Sequence, residues 1–164
     1  MKIMTPIVEG LTAFLVKVLL RPKVYYVEPP KHPHKLDEPS LLIINHTSHL
    51  DGPVVTTVFR KDRIHNLAAE DRFEQRGFGF FMRHTRCIPI DREHADLSWI
   101  NESVKTLQQD KESVAIFPEG RHGEHRKQLP FQKGAAMLAA VSQVPIVMVF
   151  TSTAPLKYSG RVPA

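Results

Sequence analysis

Residues 40–55, which read SLLIINHTSHLDGPVV, form the stretch that decides the fold. Leu41 to Ile44 are a short apolar block between Pro39 and Asn45, with the length and flanking residues typical of a buried strand. His46 follows at the carboxyl end of this predicted strand. Ligands bind at that end of the strands in an open α/β sheet, so we expect His46 to lie in a functional site.

A carboxylate comes five residues after this histidine, at Asp51. The Asp51-Gly52-Pro53 sequence opens a predicted helix over Val54 to Phe59, because proline is favoured near the start of a helix. A loop ahead of that helix would let the two side chains meet. Asp51 would then hold the proton of one ring nitrogen of His46 and leave the other nitrogen as a general base. The alternative is a histidine that caps a turn at a strand end.

The composition is that of a globular protein and narrows the range of partners. The chain has 164 residues, of which 42% are hydrophobic and 24% charged, so one domain with a real core is expected. Lys and Arg number 22 against 17 for Asp and Glu, and the pI of about 9.5 favours anionic partners. No basic stripe with interleaved aromatic residues occurs, which argues against nucleic acid. Cys87 is the single cysteine, and the histidine pairs lack a third ligand at a recognised spacing, so neither a disulfide nor a metal site is expected.

Residues 1–22 are predicted to form a separate apolar helix. Residues 3–20 are mostly apolar, are interrupted by Glu9 and Lys17, and end at Arg21-Pro22. The apolar run is shorter than the roughly 20 residues needed to span a bilayer. We expect the helix to lie in a membrane interface, with basic residues near anionic headgroups: Lys2, Lys17, Arg21 and Lys23. The alternative is a helix packed on its own domain.

Strands alternate with helices along the rest of the chain, which predicts an α/β fold with a mostly parallel central sheet and helices on both faces. Besides the strand at Leu41 to Ile44, strands are predicted over Val24–Val27, Ile64–Ala69, Arg86–Arg92, Ser113–Phe117 and Val144–Phe150, the last of them buried. Further helices are predicted over Ala95–Gln109 and Ala135–Val141.

Two of these predicted strands end in residues suited to binding an anion. Arg92 ends one strand, and its planar guanidinium can bind a phosphate through two donors, although an ion pair with Asp91 or Glu93 is an equal alternative. Pro118-Glu119-Gly120-Arg121 follows another strand. The backbone amides around Gly120 are expected to donate to a phosphate or to a developing oxyanion, with a simple turn as the alternative.

Five segments, in this order, resemble the glycerolipid acyltransferases, and most closely the 1-acyl-glycerol-3-phosphate (lysophosphatidic acid) acyltransferases. They are Asn45-His46 through Asp51, Ile88-Pro89-Ile90-Asp91-Arg92, Phe117-Pro118-Glu119-Gly120, Phe131-Gln132-Lys133-Gly134-Ala135-Ala136 and Val144-Pro145-Ile146-Val147. The resemblance covers roughly residues 40–150. It makes residues 23–164 an acyltransferase domain that follows the N-terminal helix.

The resemblance implies transfer of a fatty acyl group from acyl-CoA or acyl carrier protein to the free hydroxyl of a lysophospholipid. It implies no cofactor, and a peripheral or monotopic position at the cytoplasmic face of a membrane. By the same resemblance, His46 is the general base and Asp51 orients it. Arg92 holds the acceptor phosphate, while Glu119 and Gly120 shape the acceptor site.

An aromatic stretch and three departures from the family pattern qualify this expectation. Phe78, Phe80 and Phe81 either line a groove for the acyl chain or belong to the ordinary core. Arg121 stands one place earlier than the usual arginine, Ala69 replaces a common lysine, and Met148 replaces a customary proline. Arg72 and Arg121 are the residues expected to compensate in binding the acceptor phosphate. Family members usually continue several dozen residues further, so we expect either a naturally short member or a truncated chain.

Other functions are compatible with part of the pattern. The acceptor could be a different lysolipid or an amino-acid lipid, and a transacylase would use the same His-Asp pair without coenzyme A. A catalytically silent membrane-binding module is the rival from another class, but it has no need of intact His46, Asp51 and Glu119. A hydrolase is disfavoured because no G-x-S-x-G sequence is present.

Overall fold

The fold was determined as a computed structural model that describes residues 4–27, 31–92, 96–121 and 129–152. The strands are β1 (Leu41–Ile44), β2 (His65–Ala69), β3 (Cys87–Ile90), β4 (Val114–Ile116) and β5 (Ile146–Val149). The helices are α1 (Met4–Leu15), α2 (Asp51–Val58), α3 (Asp71–Glu74), α4 (Phe78–Arg83), α5 (Ser98–Gln108) and α6 (Lys133–Ser142). A π-helical turn over Val16–Leu20 extends α1, and a 3-10 turn over Arg60–Asp62 follows α2.

The five strands form one parallel sheet in the order β3-β2-β4-β1-β5. Leu42 of β1 lies opposite Ala115 of β4 on one side and Val147 of β5 on the other. Because all strands run the same way, the residues that follow them emerge at one edge of the sheet. The predicted α/β class and the parallel sheet are confirmed.

Helices cover both faces of the sheet, as predicted, because neighbouring residues of a strand point to opposite faces. Leu41 belongs to a core that is packed under α5 and α6 and includes Trp99 and Leu138. Leu42 belongs to a second core on the α2 side, together with Val55. The apolar block of β1 is therefore buried from both faces.

The N-terminal helix forms an outer layer on α2, and none of its described residues belongs to either core of the sheet. It buries Ala13 and Val16 but exposes large apolar side chains: Met4, Ile7, Leu11, Phe14, Leu15, Val18, Leu19 and Leu20. Packing on the domain thus accounts for one face of this helix only. None of the helices described has the length and apolar character required to cross a membrane.

Two predictions about strands are wrong. Val24 to Val27 form no strand, because the segment pairs with neither edge of the sheet; Tyr25 and Val27 stay exposed. The strand within Val144 to Phe150 exists as β5, but it is an edge strand that is buried on one face only. Its side chains alternate between half-buried and exposed, and Met148 is 56% exposed.

Truncation of a core leucine should measure how much the sheet depends on β1. Leu42 is fully buried on the face of the sheet that α2 covers. Leu42→Ala should therefore lower the free energy of unfolding by about 3 kcal/mol, through lost burial and the cavity left behind. Met148→Ala removes a side chain of similar size from the neighbouring strand and should cost under about 1 kcal/mol, since most of it already faces solvent. Urea unfolding followed by circular dichroism measures both values; equal losses would contradict the assigned burial.

Candidate functional site

The site is built at the edge where the strands end. His46 follows β1, Gly120 follows β4 and Arg92 follows β3, while Asp51 is in the first turn of α2. Residues that are far apart in sequence meet here because the strand order places β4 between β1 and β2. This is the edge at which open parallel sheets bind ligands.

The predicted pair of His46 and Asp51 is formed. The Nδ1 atom of His46 lies 3.2 Å from Oδ2 of Asp51, and the two side chains are 18% and 5% exposed. The same Oδ2 accepts hydrogen bonds from the backbone amides of Thr47 at 2.7 Å and Ser48 at 2.8 Å. The imidazole packs on the ring of Phe117, with ring centroids 4.3 Å apart. The ring is therefore held both at one nitrogen and on one face.

The surroundings of Asp51 keep its carboxylate charged. Burial by itself would raise its pKa, but hydrogen bonds from His46, from the amides of Ser48 and Thr47 and from Thr151 outweigh that effect and lower the pKa below the ordinary value of 3.8. The start of α2 adds a favourable position for a negative charge. An ionised Asp51 fixes the Nδ1–H tautomer of a neutral His46, in which Nε2 carries the lone pair.

Glu119 supports the backbone of the histidine loop. It is 3% exposed, and its Oε1 accepts from the backbone amide of His46 at 3.1 Å while its Oε2 accepts from the amide of Leu129 at 2.9 Å. We expected this residue to shape an acceptor site. The structure gives it a positioning contact, because both carboxylate oxygens are engaged by main-chain donors.

Asn45 ties β1 to the edge strand in a similar way. Its side-chain amide donates to the carbonyl of Thr151 at 3.0 Å and accepts from the amide of Thr151 at 2.7 Å. The asparagine and the histidine of the Asn-His sequence thus have different tasks. Asn45 fastens the strand ends together, and His46 faces the cavity described below.

Gly120 differs from expectation in the role of its amide. The residue has a φ of 68°, a left-handed conformation that glycine adopts without strain, and its N–H donates to the carbonyl of Phe117 at 2.9 Å. That amide closes a turn, the alternative that the sequence offered for this position, and it is not directed at a ligand. Its carbonyl accepts from Nη1 of Arg92 at 3.0 Å.

Arg92 reaches from the end of β3 across the end of β2 to the end of β4. Besides its bond to Gly120, it contacts Oδ1 of Asp71 through Nη2 at 3.2 Å. Asp71 also contacts Nε of Arg72 at 3.7 Å, so one carboxylate lies between two guanidinium groups. Glu93, one of the partners considered from the sequence, lies outside the described residues. The sequence did not point to Asp71, whose only signal was its place directly after β2 with Glu70.

A cavity of about 370 Å³ opens beside His46. Arg92, Gly120 and Arg121 are exposed and mark its opening, and Ala69 lies in its wall. The remaining lining is largely apolar and comes from α2, α4 and the strands: Gly52, Pro53, Thr56, Asn66, Leu67, Ala68, Phe78, Phe81, Met82, Thr85, Cys87, Ile90, Ile116 and Phe117, with His49 and Arg72 completing it.

The aromatic stretch contributes to this cavity only in part. Phe78 and Phe81 of α4 line it, as predicted for a groove, whereas Phe80 is 49% exposed and packs on His84. Cys87 is also in the wall, and burial raises the pKa of its thiol to about 11, so it stays protonated. Within the described ranges, no three His, Cys, Asp or Glu side chains converge in a way that could hold a metal ion.

The chain is similar to known acyltransferases in sequence and in fold. It is 29% identical over 139 residues to the 1-acyl-sn-glycerol-3-phosphate acyltransferase of Streptococcus pneumoniae, covering 84% of this chain and 50% of that protein. It is 31% identical over 126 residues to 1-acyl-sn-glycerol-3-phosphate acyltransferase alpha of Mus musculus, covering 76% of this chain and 44% of that protein. This chain therefore spans about half the length of these relatives.

A solved structure has the same fold. The crystal structure of the 1-acyl-sn-glycerophosphate (LPA) acyltransferase PlsC from Thermotoga maritima superimposes with a TM-score of 0.60 at 20% identity, over 87% of this chain and 55% of that one. The Acyltransferase family model matches residues 23–152, which include every strand of the sheet and both members of the His-Asp pair. The chain belongs to the acyltransferase family.

Proposed function

We propose that this protein transfers a fatty acyl group from acyl-CoA or acyl carrier protein to the free hydroxyl of a lysophospholipid, with 1-acyl-glycerol-3-phosphate as the first candidate. The contact between His46 and Asp51 at the opening of a largely apolar cavity carries the proposal. The relatives named above support the choice of acceptor, since their names state that substrate.

The proposed chemistry is direct acyl transfer with His46 as general base. The acceptor hydroxyl gives its proton to Nε2 while its oxygen forms a bond to the thioester carbonyl carbon. Asp51, already in contact with Nδ1, stabilises the imidazolium that results. The tetrahedral intermediate then collapses, the C–S bond breaks, and the leaving thiolate takes the proton back from Nε2. No acyl-enzyme forms, so a nucleophilic side chain is not required.

The acceptor phosphate would bind at the cavity opening. Arg72, Arg92 and Arg121 bring three guanidinium groups to the cavity wall, and guanidinium binds phosphate through two parallel hydrogen bonds. Asp71 offsets part of that charge and holds Arg72 and Arg92 in place until phosphate arrives. These arginines would substitute for the lysine that Ala69 replaces.

The acyl chain would occupy the deeper part of the cavity. Phe78, Phe81 and Met82 provide apolar walls for it, and burying each methylene group contributes about 0.8 kcal/mol. The thioester carbonyl would then lie near His46 at the opening. This arrangement separates the charged end of one substrate from the apolar end of the other.

The exposed face of α1 would place the site at a lipid surface. The apolar side chains of Leu11, Phe14, Val18 and Leu19 point away from the domain, and Lys17 and Arg21 lie on the same segment. An amphipathic helix with basic residues binds the interface of anionic membranes. We place the protein peripherally on the cytoplasmic face, where both proposed donors are available.

Acyl transfer should require His46 and a lysolipid acceptor. Activity is measured with acyl-CoA and acyl-carrier-protein donors on lysophosphatidic acid and on phosphate-free lysolipids. We expect turnover on lysophosphatidic acid and a loss of about a hundredfold or more in His46→Ala, because the general base is removed. His84→Ala, at a half-buried histidine outside the cavity wall, should behave like the wild type.

Three outcomes would count against parts of this proposal. Turnover only on a phosphate-free lysolipid would move the acceptor to another lipid class. Turnover from a phospholipid donor without coenzyme A or carrier protein would indicate a transacylase. Folded protein with no turnover on any donor and acceptor would favour a silent membrane-binding module.

Asp51 should link stability to pH. Its pKa is lowered on folding, so its contribution to stability is present above the ordinary value of 3.8 and disappears as the pH falls through the folded value. Asp51→Asn should therefore lower the free energy of unfolding by about 2 kcal/mol at neutral pH, and by much less at an acid pH below the pKa of Asp51 in the folded protein. Urea unfolding at both pH values tests this, with exposed Asp37→Asn as the control. A loss that does not change with pH would refute the linkage.

The exposed face of α1 should determine membrane binding. A double variant with Leu11→Ser and Phe14→Ser should sediment less with vesicles of anionic phospholipid, since apolar surface is removed from the face that meets lipid. Ile146→Ser with Met148→Ser removes comparable exposed apolar surface from β5 and should leave sedimentation unchanged. Equal binding of the wild type and both double variants would rule out α1 as the membrane contact.

A further inference from the structure

One polar side chain in the cavity wall is not accounted for by the proposed chemistry. Asn66 of β2 is 7% exposed, and among the described residues its Oδ1 has no hydrogen-bond partner. A buried carbonyl oxygen without a donor is costly, and such groups are rare in native proteins, where strain, a functional role or a bound water or ion accounts for them. In the sequence, Asn66 follows His65 as the second of two polar residues in the predicted strand from Ile64 to Ala69.

Asn66 lies well below the opening of the cavity. Its neighbour Leu67 packs in the core under α5 and α6, so Asn66 points to the other face of the sheet, where α2 lies. In the sheet, Asn66 of β2 pairs with Ala115 of β4, and Ala115 pairs in turn with Leu42 of β1. Leu42 is four residues before His46 in the sequence. That register puts Asn66 about 13 Å from His46 along the strand direction.

Gly52 of α2 lies close to the side-chain amide of Asn66. The oxygen and the carbon of that amide lie 3.6 Å from the position that a Cβ would take on Gly52 of α2. Nearby hydroxyl groups have internal partners: Thr56 Oγ1 donates to the Gly52 carbonyl at 3.0 Å, and Thr85 Oγ1 donates to the Phe81 carbonyl at 2.9 Å. These two hydroxyl groups of the cavity wall thus have partners within the protein, whereas Oδ1 of Asn66 has none among the described residues.

We propose that Asn66 is a specificity-determining residue that accepts a hydrogen bond from a hydroxyl group on the distal part of the acyl chain. The inference rests on the proposed function. The arginines proposed to bind the acceptor phosphate are at the opening, and the proposed function assigns the apolar interior to the acyl chain of the donor, so that chain is the substrate part assigned to this depth. A buried polar group disfavours a substrate that leaves it unpaired. The ligand class is thus a fatty acyl thioester hydroxylated away from its carbonyl carbon.

The test compares donors of equal chain length. Each donor is either plain or carries one hydroxyl, placed next to the thioester, at mid-chain or near the methyl end. For wild-type protein we expect kcat/KM to be about tenfold higher with a mid-chain or distal hydroxyl than with the plain chain, and no gain from a hydroxyl next to the thioester. Asn66→Leu should remove this preference while plain chains still react. Asn66→Val is a second variant with a side chain suited to a strand.

The matched control is Thr57→Val. Thr57 is buried on α2, its hydroxyl donates to the Pro53 carbonyl at 2.7 Å, and it lies outside the cavity wall, so this variant removes a buried hydroxyl without touching the proposed contact. It should keep the wild-type preference. Loss of the preference in Thr57→Val as well as in the Asn66 variants would overturn the assignment to Asn66.

The outcomes separate this inference from the proposed function. Turnover of plain and hydroxylated donors at equal rates in the wild type, or an unchanged ratio in both Asn66 variants, would overturn the inference and leave acyl transfer intact. If no donor reacts, the proposed acyl transfer is wrong. Thermal stabilisation of the protein by free fatty acids then tests the Asn66 contact by itself. Stronger stabilisation by the hydroxylated acid, lost in Asn66→Leu, would support the contact; equal stabilisation would overturn it.

Discussion

The buried carboxylate of Asp51 is the contact on which the site depends. One oxygen accepts from the His46 ring and from the amides of Thr47 and Ser48, so the same atom orients the ring, closes the loop and starts α2. An ionised group can remain at 5% exposure only because these donors replace water. The geometry of the histidine and the local fold of the loop therefore have a common cause.

A second buried carboxylate, that of Glu119, connects the histidine loop to the segment that follows the neighbouring strand β4. Glu119 links the amide of His46 to that of Leu129, while Asn45 links the end of β1 to Thr151 after β5. The histidine is thus held from its side chain by α2 and from its backbone by the segment after β4. A base held in this way loses little conformational freedom when substrate binds, which is how positioning contributes to rate.

The cavity joins two environments that suit two substrates. Its opening carries arginines with Asp71 between two of them, and its interior is apolar except around Asn66. The aromatic residues of α4 are divided between this interior and the surface, which the sequence did not predict. Phe78 and Phe81 are three residues apart on α4 and share a face, whereas Phe80 points elsewhere, to His84 and solvent.

The sequence by itself determined β1, the His46–Asp51 pair, a helix over Val54 to Phe59 and the α/β class, because these depend on local periodicity, on proline and on spacings within a few residues. The structure starts that helix earlier, at Asp51. It also identified Arg92 as a residue at a strand end. The tertiary structure decided the strand order, the exposed edge at β5 and the absence of a strand at Val24 to Val27, since pairing is a property of neighbours distant in sequence. For the same reason only the structure assigned Glu119 to the His46 backbone and Asp71 to Arg92. Each of these contacts joins segments that follow different strands, and the parallel sheet is what brings those segments to one edge.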